Sequence, residues 1–308
     1  MGLRIRTNIA SINAQRRLEV STNKLTDSAA KLASGKRINK AADDAAGLAI
    51  SSNLTADIRS MNQARRNALD GVSLVQTAEG SLEETTNMLT RLRELAVQAA
   101  SDTVGQTERS FINKEFVALK DEIDRIANST EFNGTRLIVG EADLPEDIAN
   151  QEGTFPLEVQ VGKDYFAGEV DGIDNRNQTN IIKIDLQHIN AFTDGEGSLD
   201  IGRAEEGTNT LTKADAQQSI MKLDDAIVKV SDYRSYLGSI QNRLGSTIDN
   251  LGVSVENLSA ANSRIQDTDF AAETATYTSN KILQQGGSSI LAQANQQPQV
   301  ALSLMQSL

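Results

Sequence analysis

The sequence predicts a mainly α-helical protein: a long antiparallel helical rod of coiled-coil character, with terminal helices that pair and a small β-hairpin element in the middle. Three observations carry that prediction. Apolar residues recur at alternating three- and four-residue spacing through most of the 308-residue chain, the seam of a coiled coil or long bundle helix. There are only three prolines, Pro145, Pro156 and Pro298, so residues 1–144 and 157–297 contain none, and such tracts suit long helices. Aromatic residues make up 4% and tryptophan is missing. A core without bulky rings is narrow, which favours helices lying along one another over a thick globule.

Taken in order, the chain opens with Leu18, Leu25 and Leu32 at seven-residue spacing, preceded by Ile5, Ile9 and Ile12. Ser34-Gly35-Lys36-Arg37 breaks the pattern and reads as a linker. A long run follows through Leu54, Ile58, Met61, Ala68, Val72, Val75, Leu82, Leu89, Leu92, Ala96 and Ala99, and a shorter one through Ile112, Phe116, Leu119, Ile123 and Ile126. From about 132 to 212 the pattern changes to Gly, Asn and Asp punctuation. There Leu157–Val161 and Ile182–Leu186 alternate apolar with polar, as two half-buried strands joined by a turn-rich loop. The returning seam runs Ile220, Leu223, Ile227, Val230, Leu237, Leu244, Ile248, Leu251, Val255, Leu258 and Ile265, with Arg234, Gln241 and Asn262 as polar positions. At 1.5 Å per residue that helix is roughly 70–80 Å long. Ser263 to Asp269 reads as a second linker. Leu283, Ile290, Ala294, Ala301 and Leu304 then resume the period, with Gln297 on the seam.

Each terminal stripe is one or two residues wide and too narrow to fold alone in water. The two are natural partners for each other or for copies of themselves, giving a hairpin-like rod with both chain ends at one end. Within the returning helix Leu237–Gly238, Leu244–Gly245 and Leu251–Gly252 repeat at heptad spacing. A mid-helix glycine costs roughly 0.5–1 kcal/mol relative to alanine. Three on one face predict a close contact at Gly238, Gly245 and Gly252, within the chain or between subunits.

Charge and chemistry exclude most other functions. The net charge is −12, and the acidic excess falls within residues 140–210, while the first 43 residues are basic. An acidic middle offers no phosphate-neutralising stripe, so no nucleic-acid partner is expected. No run of 18 apolar residues exists, so no membrane insertion is expected. The start lacks the apolar core of a secretory signal. Its Arg- and Ser-rich composition superficially fits a transit peptide, but the apolar pattern continues into a helix of structural length. With no cysteine there is no disulfide, thiolate metal site or Cys nucleophile. The single histidine, His188, sits among apolar residues at the end of the second strand and reads as structural. Motifs for zinc hydrolysis, serine hydrolysis, phosphate loops and dinucleotides are missing. Asp43–Asp44 and Glu83–Glu84 are neighbours that do not face one another on a helix and read as helix-start acids or solvated faces. Asp171 to Asn177 misses the calcium-loop spacing. No enzyme, cofactor or metal is expected. An exposed leucine seam instead marks an assembly site, each buried leucine contributing roughly 1.5–3 kcal/mol. Termini of this kind are expected to be disordered alone and helical in company.

Several segments resemble a known family. They are Ile5-Arg6-Thr7-Asn8-Ile9, Leu32-Ala33-Ser34-Gly35-Lys36-Arg37-Ile38-Asn39, Ala41-Ala42-Asp43-Asp44-Ala45-Ala46-Gly47-Leu48-Ala49-Ile50, Arg93-Glu94-Leu95-Ala96-Val97-Gln98 and Phe132-Asn133-Gly134. Leu237 to Leu244, Ser263 to Phe270 and Gln293-Ala294-Asn295-Gln296 continue the likeness. Together they are similar to bacterial flagellin over about 1–135 and 213–308. The resemblance implies a filament subunit used for motility. Residues 1–43 and 266–308 would form an inner coiled-coil domain and residues 44–135 and 213–265 a helical rod around it. Residues 136–212 would hold the β-hairpin and loops, without large outer domains. It also implies an assembly seam of Ile5, Ile9, Leu18, Leu25, Leu32, Leu283, Ile290 and Leu304, and export through the flagellar type III apparatus to the extracellular flagellum, or to the periplasm in a spirochaete. Implied partners are the chain itself, an export chaperone, a filament cap and hook–filament junction proteins. Arg91, Leu95 and Glu115 match the positions of the family that meet Toll-like receptor 5. The alternative within this resemblance is a hook–filament junction adaptor; an intracellular coiled-coil scaffold would explain the heptads but not the paired terminal motifs.

Overall fold

A computed structural model describes residues 8–140, 156–164, 179–195, 197–202 and 207–306, with side chains as far as Gln296. In chain order the described residues form α1 (Ile9–Ser34), α2 (Ala45–Ala99), α3 (Gln106–Ser129), β1 (Glu131–Phe132), β2 (Thr135–Arg136), β3 (Leu157–Gln160), β4 (Ile181–Ile184), α4 (Lys213–Gln266) and α5 (Phe270–Gln306). The protein is mainly α, as the periodicity predicts. The chain divides into two compact units, Met1–Ile58 with Glu256–Leu308, and Arg59–Val255.

In the first unit α1 pairs with α5, and the pairing is antiparallel, since Ser11 meets Asn295 while Ser21 meets Asn280. Local signals fix both ends of α1. Asn8 Oδ1 accepts from Ser11 N at 3.1 Å, filling one of the orphan donors of the first turn. Gly35 turns left-handed at φ 71° and donates its N–H to Lys31 O, the usual glycine stop. Helix α4 continues through Ser263–Gln266, so the second expected linker shrinks to Asp267–Asp269; nothing in those four residues opposes helix, and Asp269 caps the next one. Between α1 and α2, Asp43 accepts from Asn39 N and Lys40 N at 3.0 and 2.9 Å. Those backbone donors hold its carboxyl below the usual range. Asp44 Oδ1 takes Gly47 N at 2.8 Å, so both acids serve the turn and the helix start.

In the second unit α2 runs antiparallel to α3 and to α4. Arg91 reaches Glu115 across the first pair; Arg93 and Asp102 meet Asp224 and Lys213 across the second. The core is the expected apolar seam: Ala68, Val75, Leu82, Leu89, Leu92 and Ala96 from α2, Phe116 and Ile123 from α3, and Leu223, Val230, Leu237 and Leu244 from α4. Arg109 closes the end of α2, donating from Nε to Ala99 O at 2.8 Å and from Nη2 to Ser101 O at 2.9 Å, two carbonyls that lack helical partners.

β3 and β4 pair antiparallel with Val159 opposite Ile182 and Glu158 opposite Lys183. This is the expected hairpin; residues 165–178 of its connecting loop lie outside the described residues. Ile182 and Ile184 are buried while Lys183 faces outward, the alternation of a one-sided strand. The hairpin packs where α2 carries Gly71: a Cβ there would stand 3.3 Å from Val159 Cγ2 and 3.4 Å from Leu244 Cδ1. A second hairpin, β1–β2, turns on Asn133 and Gly134 at φ 51° and 82°, a pair of positive angles that Asn-Gly supports.

Candidate functional site

The α1–α5 pair is built with its polar residues inside. Ser11, Ser21 and Ser28 are the buried residues of α1, and Asn280 and Ala294 are buried on α5. Ser11 Oγ bonds Asn295 Oδ1 at 2.8 Å, Ser21 Oγ donates to Asn280 O at 3.1 Å, and Gln284 Nε2 meets Thr22 Oγ1 at 3.3 Å. Leu18, Leu25 and Leu32 flank this seam, half-buried. Leu18 lies over Gly287, where a Cβ would stand 3.4 Å from its Cδ1. Small side chains let the two backbones approach, and the buried hydroxyls of Ser11 and Ser21 each find a partner across the pair.

Asn8 ties the far end of this pair together. Its Nδ2 donates to Ala294 O at 2.8 Å. That carbonyl would ordinarily accept from the N–H four residues on, but position 298 is proline and has none to give. One side chain therefore caps α1 and fills the acceptor that Pro298 leaves open in α5.

The large apolar residues of the pair point the other way. Leu283 and Ile290 are 59% and 62% exposed, and Ile9, Ile12, Val20, Phe270 and Ile282 are exposed with them. The expected seam thus divides. Leu18, Leu25 and Leu32 belong to the contact between the two helices; Ile9, Leu283 and Ile290 do not. Heptad spacing identifies a face of a helix but not its occupant, and serine with glycine can fill a helix–helix contact as well as leucine. Ile5 lies outside the described residues, as does the side chain of Leu304.

The other expected sites fare as follows. A Cβ on Gly238, Gly245 or Gly252 would meet no described atom within 4 Å, so no close contact among the described residues accounts for them. Arg91 and Glu115 are brought together at the surface, with Nη2 2.9 Å from Oε1, and Glu94 lies 3.0 Å from Nη1. Glu115 first and Glu94 second hold the guanidinium more firmly protonated. Leu95 is buried in the core and presents no surface beside them. His188 is exposed, contrary to its apolar sequence neighbours, with its side chain 87% accessible and Nε2 3.9 Å from Asp185. Among the described residues no group of His, Asp and Glu is placed to hold a metal ion, and no helix is long and apolar enough to cross a membrane.

A polar stripe on α3 was invisible in the sequence. Asn113, Lys120 and Asp124 share one face and hold the irregular segment that follows β4. Asn113 Oδ1 accepts from Thr210 N at 3.0 Å, Lys120 Nζ donates to Thr208 O at 3.1 Å, and Asp124 accepts from both N and Oγ1 of Thr193. Lys120 is fully buried, and burial pushes its ammonium down to about 8, against the opposing pull of Asp124, Asp121 and Asp194.

A helical protein that carries an apolar face outside its terminal helix pair has a surface of the kind that marks association. The comparisons give the family. Residues 5–143 match the bacterial flagellin N-terminal helical region and residues 220–305 the bacterial flagellin C-terminal helical region. A flagellin of Halalkalibacterium halodurans is 40% identical over 98% of this chain and 99% of its own length. Polar flagellin C of Vibrio parahaemolyticus is 37% identical over 99% of this chain and all of its own. A solved putative flagellar hook-associated protein from Vibrio parahaemolyticus shares the fold, with TM-score 0.53 and 16% identity over 73% of this chain and 100% of that one. The chain belongs to the bacterial flagellin family.

Proposed function

We propose that this chain is the structural subunit of a flagellar filament and that it works by polymerising with copies of itself. The observation that carries the proposal is the inside-out terminal pair. Seven large apolar side chains, Ile9, Ile12, Val20, Phe270, Ile282, Leu283 and Ile290, face away from the helix–helix contact. Covering a side chain already half-buried contributes about 1 kcal/mol, so neighbours gain several kcal/mol per subunit by packing there. Residues 1–43 and 266–308 are the inner domain of that filament, and residues 44–135 with 213–265 surround it. Gly238, Gly245 and Gly252, open on this chain, suit a close approach by a neighbour's helix.

The proposal extends to the route and the encounters of the subunit. Export in an unfolded state to the flagellum, with a chaperone, a cap and junction proteins as successive partners, suits a chain without cysteines. Arg91 and Glu115 offer an exposed charged pair to an innate receptor, with Leu95 acting beneath them as packing.

The test is seeded growth followed by light scattering and negative-stain electron microscopy. The full chain should elongate seeds into filaments. Ile282→Ser, Leu283→Ser and Ile290→Ser together should leave the monomer's helix content unchanged and raise the critical concentration at least tenfold. Equal growth by that variant would remove the role given to the outer face.

A further inference from the structure

The two breaks between helices in the first unit are not independent linkers. Residues 35–37 and 265–268 cross as a short antiparallel bridge with Lys36 opposite Asp267. Arg37 N donates to Gln266 O at 2.7 Å and Thr268 N to Gly35 O at 3.0 Å. Arg37 Nη2 adds a bond of 2.6 Å to Ile265 O. The crossing also joins the stop of α1 to the start of α5. Gly35 ends α1 in the left-handed conformation, Asp269 Oδ1 accepts from Ala271 N and Ala272 N to open α5, and the Phe270 ring lies 3.9 Å from where a Gly35 Cβ would be.

Two physical difficulties of the terminal pair meet their answer here. The first is loop closure: Ser21 and Asn280 are 259 residues apart in sequence, and even with residues 59–255 folded as a unit, pairing first at that turn must close the free chain on both sides of it. Once the crossing exists, the next turn of contact closes a loop of only a few residues. The second is register. Leu18, Leu25 and Leu32, with Ser21 and Ser28 between them, repeat every seven residues. A slip of one heptad that sets Leu25 where Leu18 was also sets Leu32 where Leu25 was and Ser28 where Ser21 was; it costs the bonds of Asn8, Ser11 and Thr22, but the apolar middle of the seam distinguishes registers poorly. A fixed pairing of Lys36 with Asp267 distinguishes them completely.

We propose that the crossing of residues 35–37 with 265–268 is the register-setting nucleus of the terminal pair, from which α1 and α5 zip toward the chain ends when a subunit joins a filament. Gly35 and Arg37 are its positioning residues. The proposal rests on the assembly function above and names how that assembly is controlled.

The chain has no cysteine, so introduced pairs report register cleanly. A Cβ at position 287 would stand 3.9 Å from Leu18 Cβ, within the span a disulfide bridges. Leu18→Cys with Gly287→Cys therefore marks the native register, and Leu25→Cys with Gly287→Cys marks a one-heptad slip. Each pair is combined in the full chain with Gly35→Val or with Arg37→Met, and elongation on native seeds is timed alongside disulfide yield. With Gly35 and Arg37 intact, the first pair should form its disulfide and the second should not. Gly35→Val, which places a β-branched residue in the left-handed region, should slow elongation about five- to thirty-fold and yield some of the slipped disulfide; Arg37→Met should do the same more weakly. Oxidising the 18–287 pair beforehand should restore elongation to within about twofold of the native rate, because the lock replaces the nucleus. Native rates in both variants, or slow growth with only the native disulfide and no rescue, would overturn the proposal. A native chain that fails to elongate would overturn the assembly function itself, which separates the two failures.

Discussion

Asn8 plays two roles with one side chain, and substitution can separate them. Asn8→Ala loses the cap on α1, about 1 kcal/mol, and leaves the Ala294 carbonyl without a donor, about 1–2 kcal/mol more for a buried acceptor. Asn8→Asp keeps the cap, since aspartate serves as well, but sets a carboxylate oxygen against the Ala294 carbonyl where Nδ2 had donated at 2.8 Å. Its effect is the second loss plus that repulsion, with the cap retained. The critical concentration for assembly reads these losses directly, a factor of ten for about 1.4 kcal/mol. Asn8→Ala should therefore raise it roughly 30- to 140-fold. The decisive comparison adds Pro298→Ala, which returns an N–H to the helix and lets Ala294 O be satisfied from within. In that background Asn8→Ala should cost only the cap, so the double-mutant cycle should show a coupling of about 1–2 kcal/mol. Equal effects of Asn8→Ala with and without Pro298 would show that the bond to Ala294 does not compensate for the proline.

Three further outcomes follow from the second unit and the glycine stripe. Lys120 has a folded pKa of about 8 against the usual 10.5, so between those values the unfolded chain holds a proton that the folded chain has released. Stability from this group rises as pH rises through that window, by roughly 3 kcal/mol in all. Lys120→Met should flatten that rise in melting curves taken from pH 7 to 10.5, and an unchanged profile would contradict the buried-ammonium account. Gly71→Leu forces a side chain between Val159 and Leu244, an overpacking worth about 1–3 kcal/mol. It should lower Tm by several degrees, whereas a native Tm would mean the hairpin does not seat there. Alanine at Gly238, Gly245 and Gly252 together should stabilise the monomer, because nothing described is displaced and glycine is the poorer helix former, yet weaken assembly or change filament shape. Native filaments from that variant would leave the stripe without a structural role.

Much of this architecture is legible in the sequence, and the exceptions have physical causes. The seams of α2, α3 and α4 are readable because apolar residues there meet apolar residues, so period and partner coincide. The pair of β3 and β4 is readable from strict alternation. In α1 and α5 the helices are readable but their facing is not, because Ser21, Ser28 and Gly287 fill the contact that Leu283 and Ile290 would be expected to fill. Asn133–Gly134 carries a strong hairpin signal, yet flanking strands of two residues each are too short for alternation to show. The segment held by Asn113, Lys120 and Asp124 has no period at all. Its attachment is polar, and polar residues on a helix read as a solvated face until the chain that covers them is seen. Asn8 and Ala294 are 286 residues apart, and no local pattern links an asparagine to the carbonyl that a distant proline leaves open.

The arrangement of the first unit explains why such a helix pair gains more from neighbours than from its own contact. A serine and asparagine seam contributes little net free energy, because groups such as the Ser11 and Ser21 hydroxyls exchange a bond to water for a bond to protein. What it contributes is close approach and directionality. The larger apolar gain stays on the outside, at Ile9, Ile12, Val20, Ile282, Leu283 and Ile290, and is realised only when another surface covers it. Were these side chains inside and the serines outside, the pair would be stable alone and would present little to a second subunit. With the order reversed, ordering of the terminal helices would be coupled to the arrival of neighbours, and the proposed crossing at Gly35–Arg37, with the bonds of Asn8, Ser11 and Ser21, would favour one register.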